Sequence, residues 1–368
     1  MKFTINRLIL EKALKIVSKA APKSNITVSG AANAIYFQVR KKVLFLWAAD
    51  GVVGIVTKVG VIDIDVNELD LVLPIDKINH IASYSTTEVV KFKEGPKVEG
   101  KVTRWDVVTN SNFRVCIFVA EHFPKFQTKG TQVLKIKIED LKLGLNKVGI
   151  TISQDEQKPT LGGICMNGDF VTTDGRRLSI YKTNQKIEQV VLPSDIIDLL
   201  SSFSTGEVTV LMAEAKNYVV FNLGDTIIQT RLIEGQFPVY AKILDELAKK
   251  PYKKVILDVM ELKGALNRLK ICRDNNSTVL FDFEKTKLSL QVGTGDVGRE
   301  ELKAFTLPEE IELKLYLSID ALFSLLTVVE GKKIPLSIID EKTIVCVEEK
   351  YTNGEEFYCF ISPMVSTR

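Results

Sequence analysis

The 368-residue sequence is poor in the residues and runs that mark several protein classes. It has only two histidines, His80 and His122, and no CxxC, HExxH, GxSxG or P-loop motif, so common metal-binding and catalytic patterns are missing. Its longest uncharged stretch, residues 24–39, is too short and polar for a membrane helix. Charges interrupt the apolar residues near the N-terminus, so no signal-peptide core is expected.

Cysteine is also scarce. The five cysteines are odd in number and scattered, which disfavours a disulfide framework and favours a reducing compartment. They are Cys116, Cys165, Cys272, Cys346 and Cys359. We therefore expect a cytoplasmic protein that does not associate with membranes, has no cofactor or metal and is not an enzyme.

What the sequence does contain is a threefold repeat, which begins with a helical pattern of three apolar residues. The pattern occurs at Leu10, Leu14 and Val17, at Leu141, Leu145 and Val148, and at Leu262, Leu266 and Leu269. The spacing places all three side chains on one face of a helix. A repeat with a period near a third of the chain predicts one structural unit used three times.

Two further segments recur in the same order. A strand running into a helix is predicted at residues 71–85, 190–204 and 315–329, each with an Asp near the helix N-terminus. A turn and a strand closing at a proline follow at Pro124, Pro238 and Pro363. Alternating beta-branched stretches lie between the helices. We therefore predict an α+β fold of three domains, 1–128, 129–249 and 250–368, each with two helices packed on an antiparallel sheet.

The positive charge is concentrated on the first helix of each repeat. The windows 2–23, 135–149 and 253–275 hold 16 basic and 6 acidic residues, while the rest of the chain holds 33 basic and 40 acidic residues. A single basic helix face most often contacts only water. Three equivalent basic helices favour a polyanion bound through its phosphates, without sequence specificity.

Glycine motifs near possible sites are better explained as turns. The segment GTGDVG, residues 293–298, matches a dinucleotide fingerprint, but no long helix follows it, so we predict a hairpin loop after a strand at residues 287–292. The repeated pairs Asp50-Gly51 and Asp174-Gly175 are likewise predicted to be turns.

Several segments resemble the beta subunit of bacterial DNA polymerase III, the sliding clamp. They are the opening MKF, VTTDGRRLSIY at residues 171–181, RLIEGQFPVY at residues 231–240 and SPM at residues 362–364. The resemblance implies a DNA clamp fold and a head-to-tail homodimer that closes into a ring around double-stranded DNA. It also implies a processivity factor in DNA replication.

The resemblance assigns roles to the basic helices and to the ring contacts. The DNA-facing residues would be Lys12, Lys15, Lys19, Lys142, Lys147, Lys263 and Arg268. The dimer interface would bring Phe113 and Val115 of one chain against Ile271 and Cys272 of the other, although each of these residues is also compatible with an ordinary core position.

The resemblance further implies a pocket that captures short linear motifs. Its partners would be the DNA polymerase III alpha subunit, the clamp loader and other proteins with a clamp-binding motif. The pocket would be lined by Leu161, Thr173, Gly175, Arg176, Arg177, Leu178, Pro238, Ile243, Phe360, Ser362, Pro363 and Met364. An apolar cleft with a few polar groups suits an extended peptide, although the apolar members could simply pack in the core.

The sequence departs from the common pattern of the family at four places. Arg176 stands where His is expected, and Ser362 stands where a larger apolar residue is usual. The chain continues past Met364 with Val-Ser-Thr-Arg, and residues 26–31 lack the usual proline. These changes affect the expected partners more than the expected architecture.

Two other functions compete with the clamp. A DNA-binding scaffold that forms no ring would keep the basic helices but remain a monomer. A dinucleotide-dependent enzyme would instead bind a nicotinamide or flavin cofactor at residues 293–298.

Overall fold

The computed structural model describes residues 1–21, 33–99, 101–124, 126–183, 185–204, 206–273, 277–294, 296–307 and 310–364. The helices are α1 (Arg7–Val17), α2 (Ile75–Tyr84), α3 (Ile138–Gly149), α4 (Ile196–Leu200), α5 (Ala241–Ala248), α6 (Val259–Leu269) and α7 (Ile319–Val328). The strands are β1 (Lys2–Asn6), β2 (Ala34–Arg40), β3 (Val43–Ala49), β4 (Val53–Val59), β5 (Asp63–Ile64), β6 (Glu68–Pro74), β7 (Val89–Glu94), β8 (Lys97–Val98), β9 (Lys101–Val102), β10 (Arg104–Val108), β11 (Asn112–Cys116), β12 (Thr131–Lys137), β13 (Gly163–Met166), β14 (Phe170–Thr173), β15 (Arg177–Lys182), β16 (Val190–Pro193), β17 (Glu207–Met212), β18 (Tyr218–Asn222), β19 (Thr226–Arg231), β20 (Lys253–Asp258), β21 (Thr278–Lys285), β22 (Lys287–Val292), β23 (Gly298–Leu302), β24 (Phe305–Thr306), β25 (Ile311–Ser318), β26 (Lys333–Ile338), β27 (Val345–Lys350) and β28 (Glu356–Ile361).

The chain forms two compact units. Unit 1 comprises Met1–Ile138 and Asp198–Leu232, and unit 2 comprises Glu139–Ile197 and Ile233–Arg368. The middle third of the sequence is therefore divided between the two units. The predicted boundaries near residues 128 and 249 do not coincide with this division, and the organisation into three domains remains a prediction.

Unit 1 contains two main sheets. A five-stranded sheet has the order β11-β10-β7-β1-β5, and an eight-stranded sheet has the order β12-β17-β18-β19-β4-β3-β2-β6. The larger sheet is continuous because β19 pairs with β4, with Thr226 opposite Thr57. Their buried hydroxyl groups lie 2.8 Å apart and form a hydrogen bond. Strands from the first and middle thirds of the sequence thus form one sheet.

Unit 2 is built in the same way. A nine-stranded sheet has the order β16-β13-β14-β15-β28-β27-β26-β20-β24, and a four-stranded sheet has the order β23-β22-β21-β25. Here β15 pairs with β28, with Leu178 opposite Phe360. These pairings are antiparallel, as are the others among the described strands, which agrees with the predicted α+β class.

The repeated helices pack with the apolar face that the sequence predicts. The three apolar residues of the pattern are buried in α1, in α3 and in α6. In unit 1, α1 packs against β4 and α2. Burying each of these leucine and valine side chains contributes roughly 1.5–3 kcal/mol of hydrophobic free energy, so this face fixes each helix on its sheet. The opposite face remains available for other contacts.

Short polar side chains begin several of these helices. Asn6 accepts hydrogen bonds from the backbone N–H groups of Leu8 and Ile9 at the start of α1. Asp258 accepts one from Glu261 N at the start of α6, and Ser318 accepts one from Ala321 N at the start of α7. Each cap satisfies backbone donors that have no partner inside the helix.

Candidate nucleic-acid and partner interfaces

The cationic side chains of α1 lie away from its buried face. Lys12 and Lys15 are exposed, and Lys15 Nζ lies 3.2 Å from Glu11 Oε1. Lys19 follows the helix and is half-buried, where its Nζ donates to the carbonyl of Asp198 at 2.5 Å and to Ser201 Oγ at 2.9 Å. The predicted cationic face of α1 is therefore most accessible at Lys12 and Lys15.

The structure corrects the prediction for Lys147 on α3. Its side chain is 1% exposed, and its Nζ lies 2.8 Å from Glu349 Oε2 and 3.4 Å from Glu330 Oε1. The ammonium group also donates to the carbonyl of Val328 and lies 5.4 Å from the centre of the Tyr351 ring. A buried and fully paired lysine cannot contact a phosphate.

The other predicted cations of unit 2 are more accessible. Lys142 on α3 is half-buried, and Lys263 on α6 is exposed. Arg268 on α6 is 63% exposed, and its Nε donates to Glu300 Oε2 at 3.0 Å. Exposed ion pairs of this kind are weak in water, so a phosphate can compete for the guanidinium group.

The predicted peptide pocket is centred on a tight turn of unit 2 that precedes β15. Asp174 Oδ1 accepts hydrogen bonds from the backbone N–H groups of Arg176 and Arg177, and Asp174 Oδ2 lies 2.9 Å from Arg177 Nε. Gly175 has a φ of +88°, which favours glycine. Thr173 Oγ1 donates to the carbonyl of Arg177 at 2.6 Å. The predicted turn at Asp174-Gly175 is confirmed.

This turn is held against the end of β28. The backbone N–H of Ser362 donates to the carbonyl of Arg176 at 2.9 Å, and that of Met364 donates to the carbonyl of Tyr316 at 2.8 Å. Ser362, Pro363 and Met364 are half-buried. The sequence patterns around residues 173–178 and 360–364 are therefore adjacent in the folded chain, as the predicted pocket requires.

The apolar members of the predicted pocket form part of a packed cluster. Leu161, Leu178 and Phe360 are each 7–8% exposed, and they pack in one cluster with Val171 and Phe237. They would therefore form the floor of a peptide site. Pro238 is exposed, Ile243 belongs to α5, and the side chain of Ile243 lies outside the described part of the chain.

A neighbouring apolar cavity of about 330 Å³ was not predicted from the sequence. Its wall includes Phe360 and the following residues: Ile180, Lys182, Leu244, Leu247, Tyr252, Ser337, Ile339, Ile344, Cys346, Glu348 and Tyr358. Burial raises the pKa of the Cys346 thiol to about 12, so this group is an uncharged, apolar part of the wall at neutral pH. A short helix followed by Tyr252 was the available signal, because Leu244 and Leu247 lie on one helix face.

The predicted dimer residues differ in accessibility. Phe113, on β11, is 40% exposed, and Ile271, after α6, is 90% exposed. Cys272 is half-buried. Val115 is only 4% exposed and lies opposite Trp105 in the sheet, so the structure corrects its assignment as an interface residue. A side chain already packed in its own unit has little surface left for a partner.

The remaining glycine motifs form turns, as predicted. Asp50 Oδ1 accepts hydrogen bonds from the backbone N–H groups of Val52 and Val53, and Gly51 has a φ of +94°. Strands β22 and β23 pair as a hairpin across the glycine-rich residues 293–298. The predicted hairpin loop at this position is thus confirmed.

The described ranges contain neither a metal-binding cluster nor a membrane-spanning helix. No group of three or more His, Cys, Asp or Glu side chains that could hold a metal ion occurs in the part of the chain that the structure describes. Within those same residues, no helix is long and apolar enough to cross a membrane. Residues 26–31 and the four residues after Met364, where the sequence departs from the family pattern, lie outside the described ranges.

Comparisons with known proteins identify the fold and its relatives. Residues 135–239 match the family model described as DNA polymerase III beta subunit, central domain. The beta sliding clamp of Synechocystis sp. is 25% identical over 262 residues, which cover 63% of this chain and 66% of that protein. The match therefore spans slightly less than two thirds of this relative. The beta sliding clamp of Helicobacter pylori (strain ATCC 700392 / 26695) is 24% identical over 77% of this chain and 76% of its own length.

The fold similarity extends over the whole chain. A solved sliding clamp from Pseudomonas aeruginosa, DNA polymerase III subunit beta bound to griselimycin, matches with a TM-score of 0.85 and 19% identity and covers 100% of both chains. The structural match agrees with the curated relatives and with the family model. The chain is thus similar in its middle third to the central domain of DNA polymerase III beta subunits, in sequence to proteins named beta sliding clamps, and in fold to a solved sliding clamp.

Proposed function

We propose that this chain is a DNA sliding clamp, a processivity factor that encircles duplex DNA and has no catalytic activity of its own. Two copies would join head to tail into a ring. The ring would tether the DNA polymerase III alpha subunit, and it would also bind the clamp loader and other proteins that carry a clamp-binding motif. Retention on DNA would then depend on topology, and the contacts to DNA could remain weak enough for sliding.

The observation that carries this proposal is the pattern of sheet junctions. In unit 1, β19, the closing strand of the middle repeat, pairs with β4, the third strand after α1. In unit 2, β28, the closing strand of the last repeat, pairs with β15, the third strand after α3. The same type of junction thus occurs twice within one chain.

The third pair of equivalent strands has no such junction. Strand β11 closes the first repeat, and β23 is the third strand after α6, yet each lies at the edge of its sheet in the described structure. An edge strand presents unpaired backbone N–H and C=O groups that can pair with another chain. Pairing β11 of one copy with β23 of a second copy would repeat the junction twice more and close a ring of two chains.

Apolar groups near these two edges support the same assembly. Phe113 lies on β11, and Val297 directly precedes β23 with 53% exposure. Ile271 directly precedes Cys272, whose Sγ would lie 3.2 Å from a Cβ atom on Gly298 at the start of β23. Burial of such side chains favours association, at roughly 25 cal/mol for each Å² removed from water. The interface would therefore combine backbone pairing with a small apolar contact.

The exposed cations on the repeated helices support DNA as the ligand. Lys12, Lys15, Lys263 and Arg268 lie on helix faces opposite the buried leucines. Contacts from such side chains to phosphates carry no sequence information. Binding would weaken with salt, with a log-log slope of roughly 0.9 for each phosphate neutralised.

The apolar region of unit 2 supports peptide capture. The turn at residues 173–177 leads into Leu178, which belongs to one hydrophobic cluster with Phe360, and Phe360 also lines the 330 Å³ cavity. The half-buried Met364 follows Phe360 by four residues. An extended peptide with aliphatic anchors fits such a site, because its side chains would enter apolar depressions while its backbone pairs with polar groups at the rim. We propose the predicted pocket residues, with the lining of this cavity, as the partner site.

A test of the ring uses the two edges. We expect the purified chain to sediment as a dimer and the variants Phe113→Asp and Ile271→Asp to sediment as monomers, because each places a charge in the apolar contact. Val52→Asp is the matched control, since Val52 is 48% exposed on the turn before β4, which belongs to a different sheet from β11 and from β23. Sedimentation velocity at equal protein concentrations provides the measurement.

The DNA arm of the test distinguishes a ring from a scaffold. After incubation with a clamp loader and ATP, the dimer should remain on nicked circular DNA during gel filtration and should be lost when a restriction enzyme linearises the circle. Equal retention on circular and linear DNA, or a monomer that binds DNA as well as the unaltered chain, would overturn the ring in favour of the scaffold.

A further inference from the structure

Besides the apolar cavity of unit 2, the structure has a cavity in unit 1 to which the proposed clamp function assigns no role. It has a volume of about 530 Å³ and lies between one face of strands β2, β3 and β6 and the segment that follows residue 119. Strand alternation places Tyr36, Gln38 and Arg40 on the same face of β2, and Trp47 pairs with Tyr36 from β3. This volume is sufficient for a side chain and part of its backbone.

Aromatic rings form much of the cavity wall. The ring centres of Tyr36 and Phe123 are 5.2 Å apart, and those of Trp47 and Phe126 are 4.9 Å apart. All four residues line the cavity. Aromatic faces carry partial negative charge and attract cations that lie within about 6 Å.

Two rings of the aromatic wall, those of Tyr36 and Trp47, have no aromatic equivalent in the corresponding strand pair of unit 2. Tyr36 lies opposite Val72 in the repeat sequence LVLP, and Cys165 lies opposite Val191 in the equivalent sequence VVLP of unit 2. Trp47 pairs with Tyr36, just as Val171 pairs with Cys165. Unit 2 thus has a thiol and an aliphatic side chain where unit 1 has two aromatic rings. The difference concerns the chemistry of the wall and not only its packing.

Two carboxylates lie at this cavity against one guanidinium group. Asp70 and Arg40 form an ion pair, with Arg40 Nη2 at 2.7 Å from Asp70 Oδ1, and the Tyr36 hydroxyl donates to the same oxygen. The side chain of Gln38 also hydrogen-bonds to the Asp70 carboxylate, whereas the carboxylate of Glu121 has no hydrogen-bond or ion-pair partner among the residues that the structure describes. Since Asp70 neutralises Arg40, Glu121 leaves the cavity with a negative balance.

We propose that this cavity binds the cationic side chain of an arginine presented by an extended segment of a partner protein. The aliphatic stem and the planar guanidinium group of arginine can stack on the aromatic wall, and its N–H groups can donate to the carboxylate of Glu121 and share that of Asp70. This site differs in location and chemistry from the apolar pocket of unit 2, which suits aliphatic anchors. It would give a partner a second point of attachment on the same chain.

The two tryptophans of the chain provide a direct test. Labelling the full chain with 5-fluorotryptophan gives one ¹⁹F NMR signal from Trp47 at the cavity and one from Trp105, which is 2% exposed in the interior of unit 1. Titration with N-acetyl-arginine amide should shift the Trp47 signal saturably, with a Kd of about millimolar order for so small a probe, and should leave the Trp105 signal in place. N-acetyl-norleucine amide, which has no charge, is the matched probe.

Two variants separate the cation site from nonspecific binding. Glu121→Gln and Asp70→Asn should each weaken binding of N-acetyl-arginine amide by roughly 3- to 10-fold, because each removes a carboxylate from the cavity. Glu214→Gln makes the same charge change at an exposed turn elsewhere in unit 1 and should leave the Kd unchanged. Glu121 and Asp70 are substantially exposed, so the fold should persist in both variants.

The proposal is overturned if the Trp47 signal does not move, if norleucine amide shifts it as strongly as arginine amide, or if Glu121→Gln binds with unchanged affinity. The titration needs neither DNA nor a dimer, so its failure would leave the ring and the clamp function untouched.

Discussion

Units 1 and 2 each contain a Phe-Pro pair, but the chain segment that follows the pair has a different structure in the two units. In unit 1, Phe126 follows the pair Phe123-Pro124, and the chain enters β12 at Thr131. In unit 2, Tyr240 follows the pair Phe237-Pro238, and the chain forms α5 before it enters β20 at Lys253. Leu244 and Leu247 of α5 form one wall of the 330 Å³ cavity, and the described residues between Pro124 and β12 in unit 1 form no equivalent helix.

The strand beneath these segments also differs at one position. Four residues after the turn aspartate, unit 1 has Gly54 and unit 2 has Leu178. A Cβ atom on Gly54 would lie 2.6 Å from the ring of Phe126, so the absence of a side chain lets this ring rest on the strand backbone. Leu178 instead belongs to the floor of the apolar cluster. The two units therefore have different pockets, although they share the repeated fold, because they differ at Gly54 and Leu178 and in the segment that follows the Phe-Pro pair.

A second contrast lies on two equivalent helices of unit 2. Lys147 on α3 and Arg268 on α6 each directly precede the last apolar residue of the repeated pattern. Lys147 is buried, whereas Arg268 is 63% exposed. The same cationic position therefore stabilises the protein interior in one helix and remains available to a ligand in the other.

We expect the largest effect on stability from removing the buried charge of Lys147. Lys147→Met should lower the free energy of unfolding by about 3–5 kcal/mol, because it leaves the carboxylate of Glu349 only 10% exposed and without its counter-ion. Arg268→Met should change it by less than about 1 kcal/mol, since its ion pair is exposed. Urea unfolding followed by circular dichroism at one protein concentration measures both.

A companion variant identifies the cause of that loss. Lys147→Met combined with Glu349→Leu should recover much of the stability, because an apolar pair leaves no unpaired charge in the interior. If Lys147→Met and Arg268→Met cost the same, the contrast between the two helices is wrong.

We expect an intermediate effect on stability at Gly54, which lies beneath the Phe126 ring and has Leu178 as its equivalent in unit 2. Gly54→Ala should cost roughly 1–3 kcal/mol, because the added methyl group meets the Phe126 ring at 2.6 Å and the ring must move. Gly60→Ala is the matched control, since an added Cβ there meets no atom within 4 Å and should change stability by less than about 0.5 kcal/mol. Thermal unfolding monitored by calorimetry provides the comparison.

The double variant Gly54→Ala with Phe126→Ala tests whether the ring is responsible. Its cost should be smaller than the sum of the two single costs, because the methyl group then occupies space that the ring has left. Strict additivity would mean that the strain at Gly54 has another source.

Sequence patterns predicted the elements whose cause is local. The apolar faces of α1, α3 and α6 follow from helical spacing, and the turns at Asp50 and Asp174 follow from a side chain that bonds backbone groups two and three residues ahead. Strand β22 was predicted with its observed bounds, Lys287–Val292, because a glycine-rich turn ends it. The family resemblance led to a fold that matches the solved clamps.

Sequence patterns did not reveal features that depend on distant partners. Lys147 occupies a position typical of a solvated helix face, and its burial depends on Glu349, 202 residues later in the chain. Val115 alternates with exposed residues on β11, but its neighbour Trp105 covers it. The pairing of β19 with β4 crosses the predicted boundary near residue 128, which no local pattern encodes. The apolar cavity of unit 2 likewise needed α5, whose length gave little periodic signal.

We expect the smallest effect on stability at Tyr240, the aromatic residue that follows the Phe-Pro pair of unit 2. Asn167 Nδ2 donates to the Tyr240 hydroxyl at 2.8 Å, whereas the equivalent residue in unit 1, Phe126, has no hydroxyl. Tyr240→Phe should therefore cost about 0.5–1.5 kcal/mol, the usual contribution of one hydrogen bond to stability. Asn167→Ala should lose most of its own effect in the Tyr240→Phe background, which a double-mutant cycle in urea measures. A coupling energy near zero would mean that this hydroxyl does not distinguish unit 2 from unit 1, and that α5 and Leu178 alone account for the different pocket.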